Sequence, residues 1–183
     1  LGLDEAMAEA VDAAVELSAG QGNPVDAAAM AAATVLRVRP DCRPLALWLA
    51  DAVLAGRLDW PSPVPFLAAH LKRDAFRHAA GPHADLVRWR IACARAYGRA
   101  AASALDLHAD LARRAGRLLG VAPKLRGRDA GETVLRLLSE DALAAGPGRV
   151  ASDRSMRRLF ERLVEFGAVR ELTGRPTFRL YGL

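Results

Sequence analysis

Cysteine, aromatic residues and long apolar runs are all scarce in this sequence of 183 residues. The two cysteines, Cys42 and Cys93, lie far apart, which excludes a disulfide framework and any C-x-x-C motif. We expect both to be small apolar residues of a reduced protein. No uninterrupted apolar run approaches the roughly 18 residues of a membrane span, and no export signal is present. These absences predict a cytoplasmic protein without a membrane partner.

Signatures of catalysis and of cofactor binding are also missing. The sequence contains no G-x-S-x-G elbow, no P-loop and no G-x-G-x-x-G motif. Its only histidines show no H-E-x-x-H spacing, and we expect them on the surface or in hydrogen bonds: His70, His78, His83 and His108. The sequence therefore predicts no catalytic residue, metal or cofactor, and it favours a function other than an enzyme's.

The residues that are abundant predict a mainly α fold. Apolar residues make up 52% of the chain but aromatics only 5%, so Ala, Leu and Val must build the core. The chain is rich in Ala, Leu, Arg and Glu, and such a composition favours helix. We expect an Ala-rich helical bundle over residues 1–122, a basic linker over 123–130, and a C-terminal winged helix-turn-helix with a β-hairpin over 131–183. Within the bundle, Gly98 and Gly116 are candidate interruptions of a long helix over residues 84–122.

Positive charge is concentrated at the C-terminal end. Residues 124–183 hold 12 Lys/Arg and 8 Asp/Glu, whereas residues 1–123 hold 14 and 13. The net charge of +5 therefore lies almost entirely in the last third of the chain, which is typical of a module that meets a polyanion. A chain that simply uses arginine on solvated surfaces would show the same balance.

An Arg-rich helix is predicted over "SDRSMRRLFERLVEFG", ending at Gly167. Its apolar residues follow helical spacing and predict one buried face: Met156, Leu159, Phe160, Leu163 and Val164. Arginines fall on the opposite side, where Glu161 and Glu165 could pair with them along the helix.

A β-hairpin is predicted over "VRELTGRPTFRLYGL", with a tight turn at Gly174–Arg175. This register places Arg170 opposite Arg179 and buries Val169, Phe178 and Leu180 on one face. Two directly opposed arginines destabilise a strand pair, and an anionic partner would relieve that cost.

The order helix, basic helix and hairpin predicts a winged helix, whose basic helix enters the major groove while the hairpin touches the backbone. DNA binding, in a regulator with the bundle as a dimerisation or sensing platform, is therefore the leading hypothesis. A homodimer is expected, since few phosphate contacts bind weakly at physiological salt. The predicted DNA contacts are Arg154, Ser155, Arg158, Arg162, Arg170, Arg175 and Arg179. The segment "AAGPGRVA" leaves room for one helical turn at most before the basic helix.

Two other functions remain open. The winged helix could serve as a protein-interaction or structural module packed on the bundle. An enzyme could have its site at Asp51 and the proline-rich elbow of residues 59–66, where Trp60 could line a ligand pocket. Asp51 interrupts an otherwise apolar helix, and a buried carboxylate needs a partner, such as Arg95 or Arg99.

Three blocks of the sequence, residues 44–68, 111–131 and 152–183, resemble an uncharacterised bacterial family, domain-of-unknown-function family 1403. The resemblance supplies no activity. It implies longer members at the N-terminus, so we expect a chain starting with Leu to be part of a longer protein. A weaker likeness is to Fic-type proteins, which join a helical domain to a winged helix. Their H-P-F-x-[D/E]-G-N-G-R motif is missing, since only "VPF" stands at 64–66.

Overall fold

The computed structural model describes residues 5–127, 129–146, 153–175 and 178–183. The chain divides into two compact units, residues 1–104 (unit 1) and residues 105–183 (unit 2). The division falls within one long helix. The predicted domains, a bundle of residues 1–122 and a module of 131–183, stay a prediction.

Unit 1 begins with three helices of equal length that pack on one another: α1 (Glu5–Ala19), α2 (Pro24–Val38) and α3 (Arg43–Arg57). Asn23 caps α2, because its side-chain oxygen accepts hydrogen bonds from the backbone N–H groups of Val25 and Asp26. Pro24 fits the first position of α2, where no N–H is needed. Arg57, the last residue of α3, connects this helix to the end of α1 and the turn after it. Its guanidinium group donates hydrogen bonds to the carbonyl oxygens of Leu17 and Gly22.

The predicted elbow follows α3 and leads into short elements. Residues 59–65 are irregular, with Asp59 at φ 53°, before α4 (Phe66–His70) and a 3₁₀ helix (Arg73–His78). The long helix α5 then runs over Leu86–Val121. It continues through Gly98 and Gly116, so the two candidate interruptions are not used.

The core of unit 1 is built mainly from alanine and leucine, as the composition predicts. Most alanines of α2 and α3 are buried, which lets the helix backbones approach closely. Trp89 of α5 is fully buried among them, and its Nε1–H donates to the carbonyl oxygen of Ala29 at 2.7 Å. That bond satisfies the indole donor that burial would otherwise leave unpaired.

Unit 2 contains the end of α5, a 3₁₀ turn (Ala122–Lys124), two more helices and a small sheet. Its remaining elements, in chain order, are α6 (Ala130–Ser139), β1 (Leu143–Ala144), α7 (Asp153–Glu165), β2 (Arg170–Glu171) and β3 (Leu180–Gly182). The sheet is antiparallel with β3 in the middle, in the order β1-β3-β2. The described residues are therefore mainly helical with a small three-stranded sheet, which confirms the mainly α part of the predicted class.

The second core joins helices to the sheet through aromatic stacking. Phe160 of α7 stacks on Tyr181 of β3, with ring centroids 4.5 Å apart and an angle of 18° between the rings. Leu118, Leu137 and Leu163 are buried around this pair. Gly167 ends α7 as predicted: it takes φ 62°, and the N–H of Ala168 reaches back to the carbonyl oxygen of Leu163.

The predicted hairpin register is wrong. Arg170 pairs with Gly182 and Glu171 with Tyr181, so Arg170 does not face Arg179. The connection runs over residues 172–179 instead of a two-residue turn, and the register shift by three residues exchanges the two faces of the last strand. Tyr181 is therefore buried, whereas Phe178 and Leu180 are exposed. The opposed-arginine argument does not hold.

Two further expectations change at the start of the module. Helix α6 ends at Ser139, and Leu143 and Ala144 form a third strand, β1, beside the predicted two-stranded hairpin. Val164, expected on the buried face of α7, is 41% exposed. The predicted single turn in "AAGPGRVA" falls largely on residues 147–152, outside the described residues.

Candidate nucleic-acid interface

Helix α7 separates apolar and basic residues onto two faces. Met156, Phe160 and Leu163 are buried in the second core, at the spacing of one helical face. The predicted contacts Arg154, Ser155, Arg158 and Arg162 are all exposed. Their exposure follows from the docking of the apolar face, because residues on the opposite face must then meet solvent.

The arginines of this face have no carboxylate partner in the described part of unit 2. Arg154, Arg158 and Arg162 form no ion pair there, and Glu161 and Glu165 form none with them. Arg162 lies over the ring of Phe166, with its guanidinium carbon 5.6 Å from the ring centroid. That contact orients the side chain and leaves its positive charge in place.

Two of these arginines border a recess of about 210 Å³ on unit 2. Arg158 and Arg162 of α7 meet Arg126, which lies just before α6, across this recess. Ser155 and the buried Asp129, at the start of α6, also line it. Sequence reasoning did not assign Arg126 to the site, although it belongs to the basic segment "PKLRGR".

The three predicted arginines of the hairpin are also exposed: Arg170, Arg175 and Arg179. Arg179 donates its Nε–H to the carbonyl oxygen of Arg175 at 3.2 Å, which links these two residues of the connection. Arg170 belongs to β2, beside the last strand. The structure thus keeps all three available to solvent without pairing them across the strands.

One carboxylate lies within this basic hairpin. Oε1 of Glu171 accepts hydrogen bonds from the hydroxyl and the N–H of Thr173 and from the N–H of Gly174, at 2.7 Å for the last. The side-chain hydrogen bond from Thr173 holds the pKa of Glu171 below its usual value, with smaller contributions from the backbone bonds and from Arg179. Glu171 therefore shapes the connection and also adds negative charge beside the arginines.

Asp51 is buried, as predicted, but its partner is not an arginine. Its Oδ1 accepts a hydrogen bond from the hydroxyl of Tyr97 at 3.0 Å, and both carboxylate oxygens lie 3.3 Å from the backbone nitrogen of Leu67. Arg95 is exposed, and Arg99 donates to the carbonyl oxygen of His70 at 2.7 Å. Asp51 thus binds α5 to the first turn of α4.

Burial dominates the titration of this cluster. It raises the pKa of Asp51 to about 6, against the opposing effect of the hydrogen bonds from Tyr97, Leu67 and Phe66. Burial likewise raises the pKa of the Cys93 thiol to about 12 and that of Tyr97 well above its ordinary value. A thiol and a phenol that stay protonated are poor nucleophiles, so this arrangement is suited to holding helices together.

Trp60, the other candidate at the elbow, is 39% exposed and meets Phe66 edge-to-face, with ring centroids 5.8 Å apart. Among the described residues no group of three His, Cys, Asp or Glu side chains is arranged to hold a metal. In the same ranges, no helix combines the length and apolar character required to cross a bilayer.

Comparison with family models gives a match over residues 2–183, to a family described as "Protein of unknown function (DUF1403)". This confirms the resemblance seen in the three sequence blocks. Comparisons with curated proteins and with solved structures gave no match.

Proposed function

This chain belongs to the family described as Protein of unknown function (DUF1403), and we propose that it binds duplex DNA through unit 2. The proposed contact surface, called the basic face, consists of Arg154, Ser155, Arg158 and Arg162 of α7 together with Arg126. The hairpin arginines Arg170, Arg175 and Arg179 extend it. In this proposal unit 2 carries a winged helix and the chain acts as a regulator.

The order of the elements supports a winged helix. In that fold a short strand after the first helix pairs with the last strand of the wing, and the basic helix precedes the wing. Here β1 follows α6, α7 precedes β2, and β3 lies between β1 and β2. The recognition helix would then be α7 and the wing the connection of residues 172–179.

The chemistry of arginine fits both parts of such a contact. Its guanidinium group can donate two parallel hydrogen bonds to a phosphate or to the O6 and N7 atoms of guanine. We assign a phosphate group to the recess bordered by Arg126, Arg158 and Arg162, whose lining also includes Asp129. We assign Arg154 and Ser155, near the start of α7, to the groove.

The observation that carries the proposal is the exposed arginine face of α7, which has no carboxylate partner among the described residues of unit 2. Arginines kept only for solubility commonly pair with acidic residues on the same helix, and Glu161 and Glu165 are close enough in sequence to do so. Neither glutamate forms an ion pair with Arg157, Arg158 or Arg162 in the described part of α7. The charge of this face is therefore free to meet phosphate.

The proposal includes a homodimer, because affinity depends on the number of neutralised phosphates. Each phosphate contact contributes a slope of about −0.9 in the logarithm of affinity against the logarithm of salt concentration. A single unit 2 offers only a few contacts, and a second copy doubles them.

Fluorescence anisotropy with a labelled mixed-sequence duplex, at several salt concentrations, tests the proposal. The unmodified chain should bind with a negative salt slope. The variant Arg158→Gln/Arg162→Gln should lose about tenfold or more in affinity at low salt and reduce the slope by about two. A matched control is Arg37→Gln/Arg117→Gln, which removes the same charge from exposed positions outside the basic face.

Binding without a salt slope would contradict the proposal. So would an equal loss in the variant of the basic face and in its control, because a general effect of net charge would then explain the binding. Circular dichroism of both variants should show unchanged helix content, since all four arginines are exposed.

One observation favours a second candidate function, a protein-interaction module. Phe178, in the predicted wing, is 90% exposed, and a large aromatic residue in this position is typical of a protein contact. Sedimentation velocity over a range of concentrations tests it: Phe178→Ser should weaken self-association if this residue lies in the dimer contact. If the association is unchanged and DNA binding is lost, the phenylalanine belongs to the DNA contact instead.

A further inference from the structure

Unit 1 contains a cavity of about 530 Å³ between the segment of residues 71–78 and the first half of α5. Its apolar lining comes from Leu71, Ala75, Ile91 and Ala92. The volume lies within the range of roughly 300–1,000 Å³ typical of small-molecule sites, and such sites combine an apolar lining with a few polar groups.

Positive charges surround this apolar lining. Lys72, Arg88, Arg95 and Arg99 all contribute to the cavity, whereas Asp74 is the one acidic residue among its lining groups. His78 completes the polar part. Four permanent cations around one concave surface repel one another, and a bound anion would relieve that repulsion.

Most of these charges are not neutralised within the described part of unit 1. Lys72 and Arg95 form no ion pair there, and Asp74 forms none with them. Arg99 donates to the carbonyl oxygen of His70, a neutral group. Within the described ranges, Arg88 is the one cation of the cavity with a carboxylate partner, Asp85, with 3.3 Å between its Nε and Oδ2 of the aspartate.

The helical repeat of α5 explains how the cations converge. Arg88, Arg95 and Arg99 are separated by seven and four positions, so they lie along one side of the helix. Ile91 and Ala92 fall between them on the same side, which places apolar surface beside the charges. A ligand that combines an anionic head with an apolar body matches this arrangement.

We propose that this cavity binds a small organic anion, with a carboxylate or phosphate head held by Lys72, Arg95 and Arg99 and an apolar body against Leu71, Ala75 and Ile91. The cavity lies within unit 1, and the proposal does not rest on DNA binding by unit 2. Arginine and lysine donate charge-assisted hydrogen bonds to such heads, which are about twice as strong as neutral ones.

Titration with 8-anilinonaphthalene-1-sulfonate, a fluorescent anion with an apolar body, tests the proposal on the full chain. We expect saturable one-to-one binding that decanoate and decyl phosphate displace and decanol does not. The ratio of the two anions' affinities tells which head group the cavity prefers. The uncharged analogue N-phenyl-1-naphthylamine should bind with an affinity at least about tenfold lower.

Lys72→Gln/Arg95→Gln should weaken binding of the sulfonate about tenfold or more, because it removes two exposed cations of the cavity. Ile91→Ser, also at an exposed position, should weaken it through the apolar body. The control Arg37→Gln/Arg117→Gln removes the same charge elsewhere and should leave binding unchanged. Equal binding of the uncharged analogue, or equal loss in the control, would overturn the proposal.

Discussion

The hydroxyl of Tyr97 donates a hydrogen bond to Oδ1 of Asp51 at 3.0 Å inside the core of unit 1. The same carboxylate accepts from the N–H of Leu67, so one acidic side chain binds α3, α4 and α5 together. Asp51 is 3% exposed and has no cationic partner among the described residues. These contacts account for a residue that stands out in the sequence and assign it to the stability of the fold.

Tyr97→Phe should destabilise the protein, and more strongly at neutral pH than at pH 5. At pH 7.5 the Asp51 carboxylate is charged and loses the one side-chain donor that the described residues offer it, which we expect to cost about 1.5–3 kcal/mol. At pH 5 the carboxyl is protonated, and the lost bond is between neutral groups, worth about 1 kcal/mol. Urea unfolding at both pH values, followed by circular dichroism, measures the difference.

Phenylalanine keeps the ring of Tyr97 and its packing, so a loss that is the same at both pH values would show that the contribution of the hydroxyl does not depend on the charge of Asp51. The control Tyr181→Phe removes a hydroxyl from the stacked pair of unit 2, which does not include Asp51, Cys93 or Tyr97. Its effect should not depend on pH between 5 and 7.5.

Asp51 should make the protein less stable as pH rises from about 4 to about 7. Its pKa is raised to about 6 in the folded chain, so between the unfolded value and 6 the folded state holds a proton that the unfolded state has lost. Stability from this group is therefore fully present below the unfolded pKa and is lost as pH rises through 6. A shift of roughly two pKa units corresponds to about 3 kcal/mol.

The comparison of the wild-type chain with Asp51→Asn isolates this effect, because asparagine keeps an acceptor oxygen and cannot titrate. The difference in unfolding free energy between the two chains should change by about 3 kcal/mol between pH 4 and pH 7. Asp41→Asn is a control with the opposite pH dependence. Arg39 holds the pKa of Asp41 below its usual value, so any stabilisation by the Asp41 carboxylate is lost as pH falls. A flat difference for Asp51→Asn would contradict the raised pKa.

Gly182→Ala should destabilise unit 2, because β3 passes very close to the backbone before β1. A Cβ atom at this position would lie 2.8 Å from the carbonyl oxygen of Asp141 and 3.1 Å from Cδ1 of Leu172. The first contact is with backbone and cannot be relieved by a rotamer change, so we expect a cost of about 1–3 kcal/mol. Thermal unfolding measures it, and Gly131→Ala, at an open helical position, serves as the control.

Local patterns were sufficient to predict most of the helices and the exposed face of α7. Met156, Phe160 and Leu163 recur with the helical period, and the arginines between them must then face outward whatever the core contains. The end of α7 was likewise predictable, since Gly167 supplies the positive φ that the capping motif requires.

Contacts between residues distant in sequence were not predictable in the same way. Strand β3 pairs with β1 as well as with β2, and β1 lies outside the predicted hairpin. Tyr97, the partner of Asp51, lies 46 positions away in the sequence. Helix α5, which carries Tyr97, also carries Arg95 and Arg99, and the sequence alone does not distinguish these three as partners. Arg126 joins the recess of Arg158 and Arg162 only through the folding of unit 2. In each case tertiary packing selects one of several partners that local sequence allows.

Glu171→Gln should strengthen DNA binding if the hairpin contacts phosphate as proposed. The glutamate is the one acidic residue of the described part of residues 170–183, and it lies near Arg179. Glutamine keeps an acceptor oxygen for the N–H groups of Thr173 and Gly174 and removes the negative charge, so the connection should retain its shape. We expect affinity to rise about twofold to fivefold at low salt, with the gain shrinking as salt screens the charge.

The matched control for this substitution is Glu16→Gln, which changes the net charge equally at an exposed position of α1. Anisotropy titrations of both variants at two salt concentrations distinguish a local effect from a general one. A gain confined to Glu171→Gln places phosphate beside the hairpin. An equal gain in both variants would mean that DNA senses only the total charge of the chain, and the hairpin would then have no contact of its own.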